Sequence, residues 1–273
     1  MKSLIFYISI FSSIYAQGFF GLFDDSDWKE DLYQNKSKAI TLIESKLNGE
    51  NIGIGSGVNI SKSGEVITNY HVVKGADEVW VSFKNGRRHL ATHYIVVNER
   101  VDFVILHLLG EDNLPFVELG DSDIIKIGQD VVAIGNPLGQ WSSMTKGIIS
   151  QIVDGGGHKR FQTDVTIAPG SSGGALFSSD KKVIGITTSG LGGIDINFAI
   201  PSNYVKSARR RASESTKKWI GFDKPKPRQK KVASNTSNSS ISNVSASSSE
   251  DDIFFNCCAS YCTYLILLGL IPW

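Results

Sequence analysis

Gly170-Ser171-Ser172-Gly173-Gly174, followed by Ala175-Leu176-Phe177, is the stretch on which the reading turns. A serine between small residues, with glycines on both sides, suits a nucleophile on a tight turn. Glycine tolerates the positive φ such turns need and lets a substrate approach the backbone. The amides of Gly170 and Ser172 are then able to converge on one spot and stabilise an oxyanion. The plain alternative is a Gly/Ser loop between two strands, because short motifs match by chance.

Chain order decides which serine chemistry is available. Ser172 also satisfies G-x-S-x-G, the elbow of α/β-hydrolases, but those enzymes need a His after the Ser. The last histidine is His158, so that reading fails. A subtilisin order needs an Asp before the His, and the only acids far enough upstream lie in a poorly patterned N-terminal stretch. The order His, Asp, Ser remains. Gly64-Glu65-Val66-Ile67-Thr68-Asn69-Tyr70-His71-Val72-Val73 is a β-branched run that reads as a buried strand entering a loop at His71. In Val101-Asp102-Phe103-Val104-Ile105-Leu106-His107-Leu108 one acid opens an otherwise apolar strand. A lone buried carboxylate is costly unless something pairs with it. His71 is the natural partner: Asp102 would hold its tautomer and stabilise the imidazolium formed when it takes the Ser172 proton.

With these residues in hand, the sequence resembles the HtrA/Deg branch of trypsin-like serine proteases. The matching stretches are GSGVNISKSGEVITNYHVV (55–73), DFVILHL (102–108), VVAIGNPLG (131–139), GIISQI (147–152), TDVTIAPGSSGGALF (163–177), VIGITTSG (183–190) and INFAIPSNYV (196–205). They come in family order and cover roughly residues 50 to 210. The resemblance implies an all-β protein: two perpendicular six-stranded β-barrels of the trypsin-like fold, with short flanking helices and the active site in the cleft between the barrels. It carries over His71, Asp102 and Ser172 as the catalytic triad and the amides of Gly170, Ser171 and Ser172 as the oxyanion hole. By the same resemblance Ile167, Ser189, Gly190 and Leu191 line the substrate pocket. None of the four is charged, which argues against a preference for Lys or Arg before the scissile bond and favours an aliphatic or aromatic residue.

Two departures stand out. Ser171 occupies the position before the nucleophile where the family usually has Asn. Downstream, after a helix-like stretch from Tyr204 to Ser213, the chain turns to low complexity, so regulation through the PDZ domain that many family members carry is not expected. No Ile-Val-Gly-Gly-type start is present, so activation by an inserting N-terminus is not expected.

Composition agrees with one enzyme domain. The chain has 273 residues, 41% of them hydrophobic, and 27 glycines. Short β-branched runs split by Gly, Asn and Asp suit an all-β protein. A formal net charge of +1 gives no bulk attraction to nucleic acid. No cofactor and no metal site are expected. His89 and His93 have i, i+4 spacing, but their surroundings read as strand and turn, so they are taken as surface histidines. His107 and His158 have no evident partner. Gly155-Gly156-Gly157 lacks the following helix that a phosphate loop needs and reads as a hairpin loop.

The ends suggest targeting. Lys2, the apolar run Leu4 to Tyr15 and Ala16 resemble a secretory signal, residues 1–16. Residues 17–49 read as a helical lead-in, with Asp24 to Leu47 helical and Leu32, Ala39, Ile40 and Ile43 on one face. Phe19, Phe20, Phe23 and Trp28 precede or begin it. In the resembled family such aromatics help build a homotrimer, although local packing onto the barrel is the favoured reading. The protease domain is placed at 50–213. Residues 214–252 read as a disordered linker, basic at Lys224 to Lys231 and then Ser/Asn-rich. Asn35, Asn59, Asn235, Asn238 and Asn243 begin N-x-S/T sequons, which would matter in a eukaryotic secretory pathway. Residues 253–273 form an uncharged tail containing Cys257, Cys258 and Cys262, read as a GPI signal or a transmembrane segment.

The function expected is a secreted or surface-anchored serine endopeptidase acting on proteins or peptides, including unfolded ones, through an acyl-enzyme. The alternative is a non-catalytic protein-binding module that keeps the protease fold. The complete set His71, Asp102 and Ser172 discriminates between them, since a pseudoenzyme has no chemical need for all three.

Overall fold

Apolar runs that are continuous, rather than alternating, mark strands buried on both faces. In Phe103–His107, Val104 and Leu106 pack into one cluster with Val66, Val81 and Phe83, while Phe103 and Ile105 pack into another. In Asp130–Gly135, Val131 and Ala133 face a cluster with Ile149, Phe161 and Leu176, whereas Val132 and Ile134 face the cluster of Phe103. Two sheets, each with its own interior, therefore share a third apolar layer. The architecture comes from a computed structural model that describes residues 27–154, 157–188, 197–212 and 217–218.

The strands are β1 (Ile40–Leu47), β2 (Glu50–Asn59), β3 (Glu65–Thr68), β4 (Glu78–Phe83), β5 (Arg88–Leu90), β6 (His93–Asn98), β7 (Phe103–His107), β8 (Asp130–Gly135), β9 (Ser143–Asp154), β10 (Lys159–Thr163), β11 (Ala175–Phe177), β12 (Val183–Thr188), β13 (Asn197–Pro201) and β14 (Lys217–Lys218). The C-terminal set closes into a six-stranded barrel in the order β10-β13-β12-β11-β8-β9. The N-terminal set is an eight-stranded sheet, β14-β6-β7-β3-β2-β1-β4-β5, rather than the second closed six-stranded barrel that was expected. Among the described residues its end strands, β14 and β5, do not pair with each other. The all-β expectation otherwise holds, with only short helices.

Two segments depart from the sequence reading. The helix starting at Asp27 ends at Lys36, a short 3-10 turn covers Ser37–Ala39, and Ile40–Leu47 is a strand rather than a continued helix. Ile40, Thr41 and Ile43 are β-branched, and the strand lies between two partners, β2 and β4, which supply its backbone hydrogen bonds. Leu32, Ala39, Ile40 and Ile43 are all buried as expected of an apolar face, but they reach the core through three different backbone conformations. Likewise Lys217 and Lys218, assigned to a disordered linker, pair with Tyr94 and His93. Strand pairing uses backbone groups and needs no apolar side chain.

The C-terminal helix Ser202–Arg211 buries Val205 and Ala208 in the shared layer. Its Arg209 donates to both carboxylate oxygens of Glu65 on β3, with Nη2 to Oε1 at 2.8 Å. Glu65 is nearly buried, and the bidentate contact raises the Arg209 pKa above its ordinary value. One helix thus ties the N-terminal sheet to the barrel.

Several expectations concern other residues. Trp28 is partly buried against the shared layer; Phe19, Phe20 and Phe23 lie outside the described residues. So do the signal-like segment 1–16, the basic and Ser/Asn-rich stretch, the sequons at 235, 238 and 243, and the tail 253–273. Asn59 is fully buried, and its Nδ2 donates to Ser61 O and Pro115 O. Its sequon is closed to a glycan in the folded state.

Candidate active site

His71 sits on a four-residue helical turn, Tyr70–Val73, rather than in an open loop. Tyr70, Val72 and Val73 are buried and anchor the turn, while 44% of the His71 side chain is exposed. Asp102 lies one residue before β7, at φ +69. Asp is among the few L-residues that adopt this left-handed conformation at modest cost. The turn is held by Asp102 N–H to Glu99 O at 3.2 Å and Val101 N–H to Asn98 Oδ1 at 3.1 Å.

These two elements meet. His71 Nδ1 lies 2.7 Å from Asp102 Oδ2, and His71 N–H donates to Asp102 Oδ1 at 2.9 Å. Thr188 Oγ1 donates to Oδ2 at 3.4 Å, and Asn69 Nδ2 to the Asp102 carbonyl at 2.9 Å. A carboxylate only accepts, so a neutral His71 places its proton on Nδ1 and leaves Nε2 as an acceptor.

Ser172 is 8% exposed and sits where β2 and β12 flank its turn. Ser56 N–H donates to Ser172 O at 2.8 Å, and Gly173 N–H donates to Thr187 O at 2.8 Å. A Cβ on Gly55 would lie 2.7 Å from the Val72 side chain and 3.1 Å from Ser172 O. The neighbour of His71 and the nucleophile candidate therefore close on the same glycine. Among the described residues no hydrogen bond joins Ser172 to His71; in free enzymes such contacts are often long and tighten when substrate binds.

The turn has a defined polarity. Its carbonyls are taken in sequence: Ala168 O by Ser171 N–H at 2.9 Å, Pro169 O by Leu138 N–H at 2.9 Å, and Gly170 O by Ser56 Oγ at 2.7 Å. Ser171 O is taken by Gly174 N–H at 3.0 Å and Thr187 Oγ1 at 2.7 Å. In a trans peptide the N–H points opposite to the C=O. With Pro169 O and Ser171 O tied inward, the Gly170 and Ser172 N–H groups point the other way, and among the described residues neither has a hydrogen-bond acceptor. The expected donor set thus loses one member: Ser171 N–H is engaged by Ala168 O and cannot serve. Gly170 and Gly173 both have positive φ, +89 and +87.

Of the expected pocket residues, Ser189, Gly190 and Leu191 lie outside the described residues. Ile167 packs against the barrel interior and lines a cavity of about 90 Å³ with Ala133, Ile134, Thr145, Ser171 and Thr187. None of the cavity's lining residues is charged, and it touches Ser171 rather than Ser172.

Of the two histidines read as surface residues, His89 is partly covered; His158, which has no evident partner in the sequence, has two in the fold. His89 Nδ1 lies 3.1 Å from Glu111 Oε1, its ring meets Phe83 edge-on, and its side chain is only 19% exposed. His93 Nδ1 lies 3.0 Å from Thr92 Oγ1. His158 is buried, accepts from Arg160 Nε at 3.1 Å and meets the Tyr204 ring edge-on. Burial, then the charges of Arg160 and Arg100, lower its pKa.

Sequence reasoning did not single out Ser56, Asn69, Thr187 or Thr188. Ser56 Oγ bridges Asn136 N–H at 2.8 Å and Gly170 O. The bridge spans 114 positions, so no local pattern marks it.

Residues 55–186 match the trypsin-like peptidase domain. The chain is 42% identical over 184 residues to a probable periplasmic serine endoprotease, DegP-like, of Halomonas elongata, covering 63% of this chain and 38% of that protein. It is 36% identical over 203 residues to the DegP-like protein of Rickettsia prowazekii, covering 68% and 39%. The chain thus spans less than two fifths of the length of these curated relatives. A solved HtrA-type protease, AlgW with tripeptide, superposes with a TM-score of 0.61 at 32% identity, covering 67% of this chain and 62% of that one. Residues 55–186 are thus a trypsin-like peptidase domain, similar in sequence to the DegP-like serine endoproteases and in fold to an HtrA-type protease.

Proposed function

We propose that this chain is a serine endopeptidase that cleaves proteins or peptides through an acyl-enzyme. The observation that carries the reading is the paired contact of Asp102 with His71, at Nδ1 and at the backbone amide, beside a serine turn with two unengaged amides.

In this reading Asp102 holds the Nδ1–H tautomer, and His71 Nε2 takes the Ser172 proton as Oγ attacks the scissile carbonyl. The oxyanion is bound by the Gly170 and Ser172 N–H groups, whose donors cost no reorganisation because their carbonyls are already tied. His71 then protonates the leaving amine, and water hydrolyses the ester on Ser172 by the reverse sequence. Uncharged Ile167, with the uncharged residues 189–191, supports a preference for an aliphatic or aromatic residue before the scissile bond. The relatives named periplasmic support an envelope or secretory location.

The test is labelling with a fluorophosphonate probe alongside hydrolysis of a denatured protein substrate. Wild type should label and cleave. Ser172→Ala should lose both nearly completely, and adding His71→Ala should cost little more, since triad members act as a unit. Labelling that persists in Ser172→Ala would move the nucleophile elsewhere.

A further inference from the structure

Four hydrogen bonds converge on Ser56, a fully buried residue of β2. Its N–H donates to Ser172 O at 2.8 Å, and its carbonyl accepts from Thr68 Oγ1 at 2.7 Å. Its hydroxyl accepts from Asn136 N–H at 2.8 Å and donates to Gly170 O at 2.7 Å. The direction of these last two bonds is fixed. A backbone N–H only donates and a carbonyl only accepts, so the hydroxyl hydrogen lies on Gly170 O. Ser56 therefore grips the serine turn twice, at the carbonyl of Gly170 and at that of Ser172.

The end of β8 is built to admit this grip. A Cβ on Gly135 would stand 3.2 Å from Ser56 Oγ and 3.3 Å from Ser171 Cα. Asn136, the next residue, is fully buried and is held in turn: its Oδ1 accepts from Ser142 N–H at 2.7 Å. The strand β2, the end of β8 and the serine turn thus meet at one hydroxyl.

Three successive peptide planes make up the turn. The outer two carry the N–H groups of Gly170 and Ser172, and their carbonyls are tied by Leu138 N–H and by Gly174 N–H with Thr187 Oγ1. The middle plane, Gly170–Ser171, sends its N–H to Ala168 O at 2.9 Å. Among the described residues the donor to its carbonyl is the Ser56 hydroxyl. Gly170, at φ +89, has no Cβ to restrict that plane. Without the hydroxyl, Gly170 O loses its partner and the plane turns to find another. Each outer plane shares a Cα with the middle one, so both unengaged amides move with it.

We propose that Ser56 is a positioning residue for peptide hydrolysis, its hydroxyl holding the Gly170–Ser171 peptide so that the N–H groups on either side face the developing oxyanion. The proposal rests on the endopeptidase reading. Being fully buried, the hydroxyl touches no substrate. It acts on the chemical step and leaves ground-state binding alone.

The test is hydrolysis of an internally quenched peptide by Ser56→Ala, with competent sites counted by fluorophosphonate titration. The variant should lower kcat and the labelling rate by about 10–100-fold, the upper end being the cost of a misplacement near 1 Å. KM should stay within about 2-fold, the pattern of an effect confined to the transition state. Ser202→Ala is the control: Ser202 is fully buried, and its hydroxyl donates to Gly120 O at 3.0 Å, at the start of the C-terminal helix. It should lose comparable stability in denaturant and keep wild-type kcat. If Ser56→Ala does not fold, Ser56→Cys replaces it, since a thiol is only a weak donor, and its kcat should also fall. Wild-type kcat in the folded Ser56 variant, a loss that appears in KM alone, or an equal loss of kcat in Ser202→Ala overturns the positioning role. Wild type that labels and cleaves beside an equally active Ser56 variant refutes that role alone. Wild type that neither labels nor cleaves refutes the endopeptidase reading, and the positioning role with it.

Discussion

Gly173→Ala tests the reasoning about the serine turn most directly. Gly173 has φ +87, and a Cβ there would stand 2.1 Å from Ser56 O and 2.5 Å from Thr68 Oγ1. The nearer atom is backbone, and it cannot rotate away. Ser56 is fixed by its N–H on Ser172 O and by Thr68 Oγ1 on its carbonyl at 2.7 Å. To bring the contact to 3.0 Å, the turn must move by about 1 Å relative to β2. Positive φ costs an alanine about 1–2 kcal/mol, and overpacking adds about 1–3 kcal/mol, so the expected loss of stability is about 2–5 kcal/mol. A displacement near 1 Å costs on the order of 10²-fold in rate. Gly128→Ala is the control, because Gly128 has φ +82 with nothing within 4 Å of its Cβ position. It should lose only the backbone share, about 1–2 kcal/mol, and keep its activity. Denaturant unfolding gives the stabilities, and peptide kcat/KM with fluorophosphonate labelling rates gives the function. If Gly173→Ala is no less stable than Gly128→Ala, or keeps wild-type turnover, the tight seating of the turn on β2 is wrong.

Two further outcomes are expected. Asp102→Asn should fold normally but lower kcat by about 10⁴-fold, because an amide placed at Oδ2 presents a donor to His71 Nδ1 and favours the wrong tautomer; unchanged kcat would transfer the orienting role to another group. His158 has its folded pKa lowered from 6.5, first by burial and then by Arg160 and Arg100. The unfolded chain therefore binds this proton more readily, so the contribution to stability is present above about pH 6.5 and is lost as pH falls through the lowered folded value. Tm measured from pH 7 to pH 5 should fall less steeply in His158→Gln than in wild type, and equal slopes would show that His158 does not titrate on unfolding.

Much of the fold was legible because it depends on properties that individual residues carry. Runs such as Phe103 to His107 are apolar throughout, and their packing into two different clusters explains why they do not alternate. The lead-in was misread at Ile40 for a related reason. Ile40 and Ile43 fit a helical face, while their β-branching suits a strand, and the competition was settled by pairing with β2 and β4 far along the chain. Lys217 and Lys218 carry no apolar signal at all; an open edge on β6 was enough to order them.

The candidate site divides in the same way. Sequence alone determined that a serine lies between glycines able to take positive φ, that a histidine and an aspartate precede it in that order, and that each lies at the end of a buried run. These are statements about local conformation and chain order. Only the tertiary structure decided which amides of the turn are available, because that depends on where each carbonyl is tied. Leu138, whose N–H holds Pro169 O, and Thr187, 16 positions after Ser171, do the tying. It also decided that the Asp102 carboxylate meets both Nδ1 and N–H of His71 across 31 positions. Hydrogen-bond direction and side-chain proximity are relations between distant segments, and they exist only once both sheets have formed.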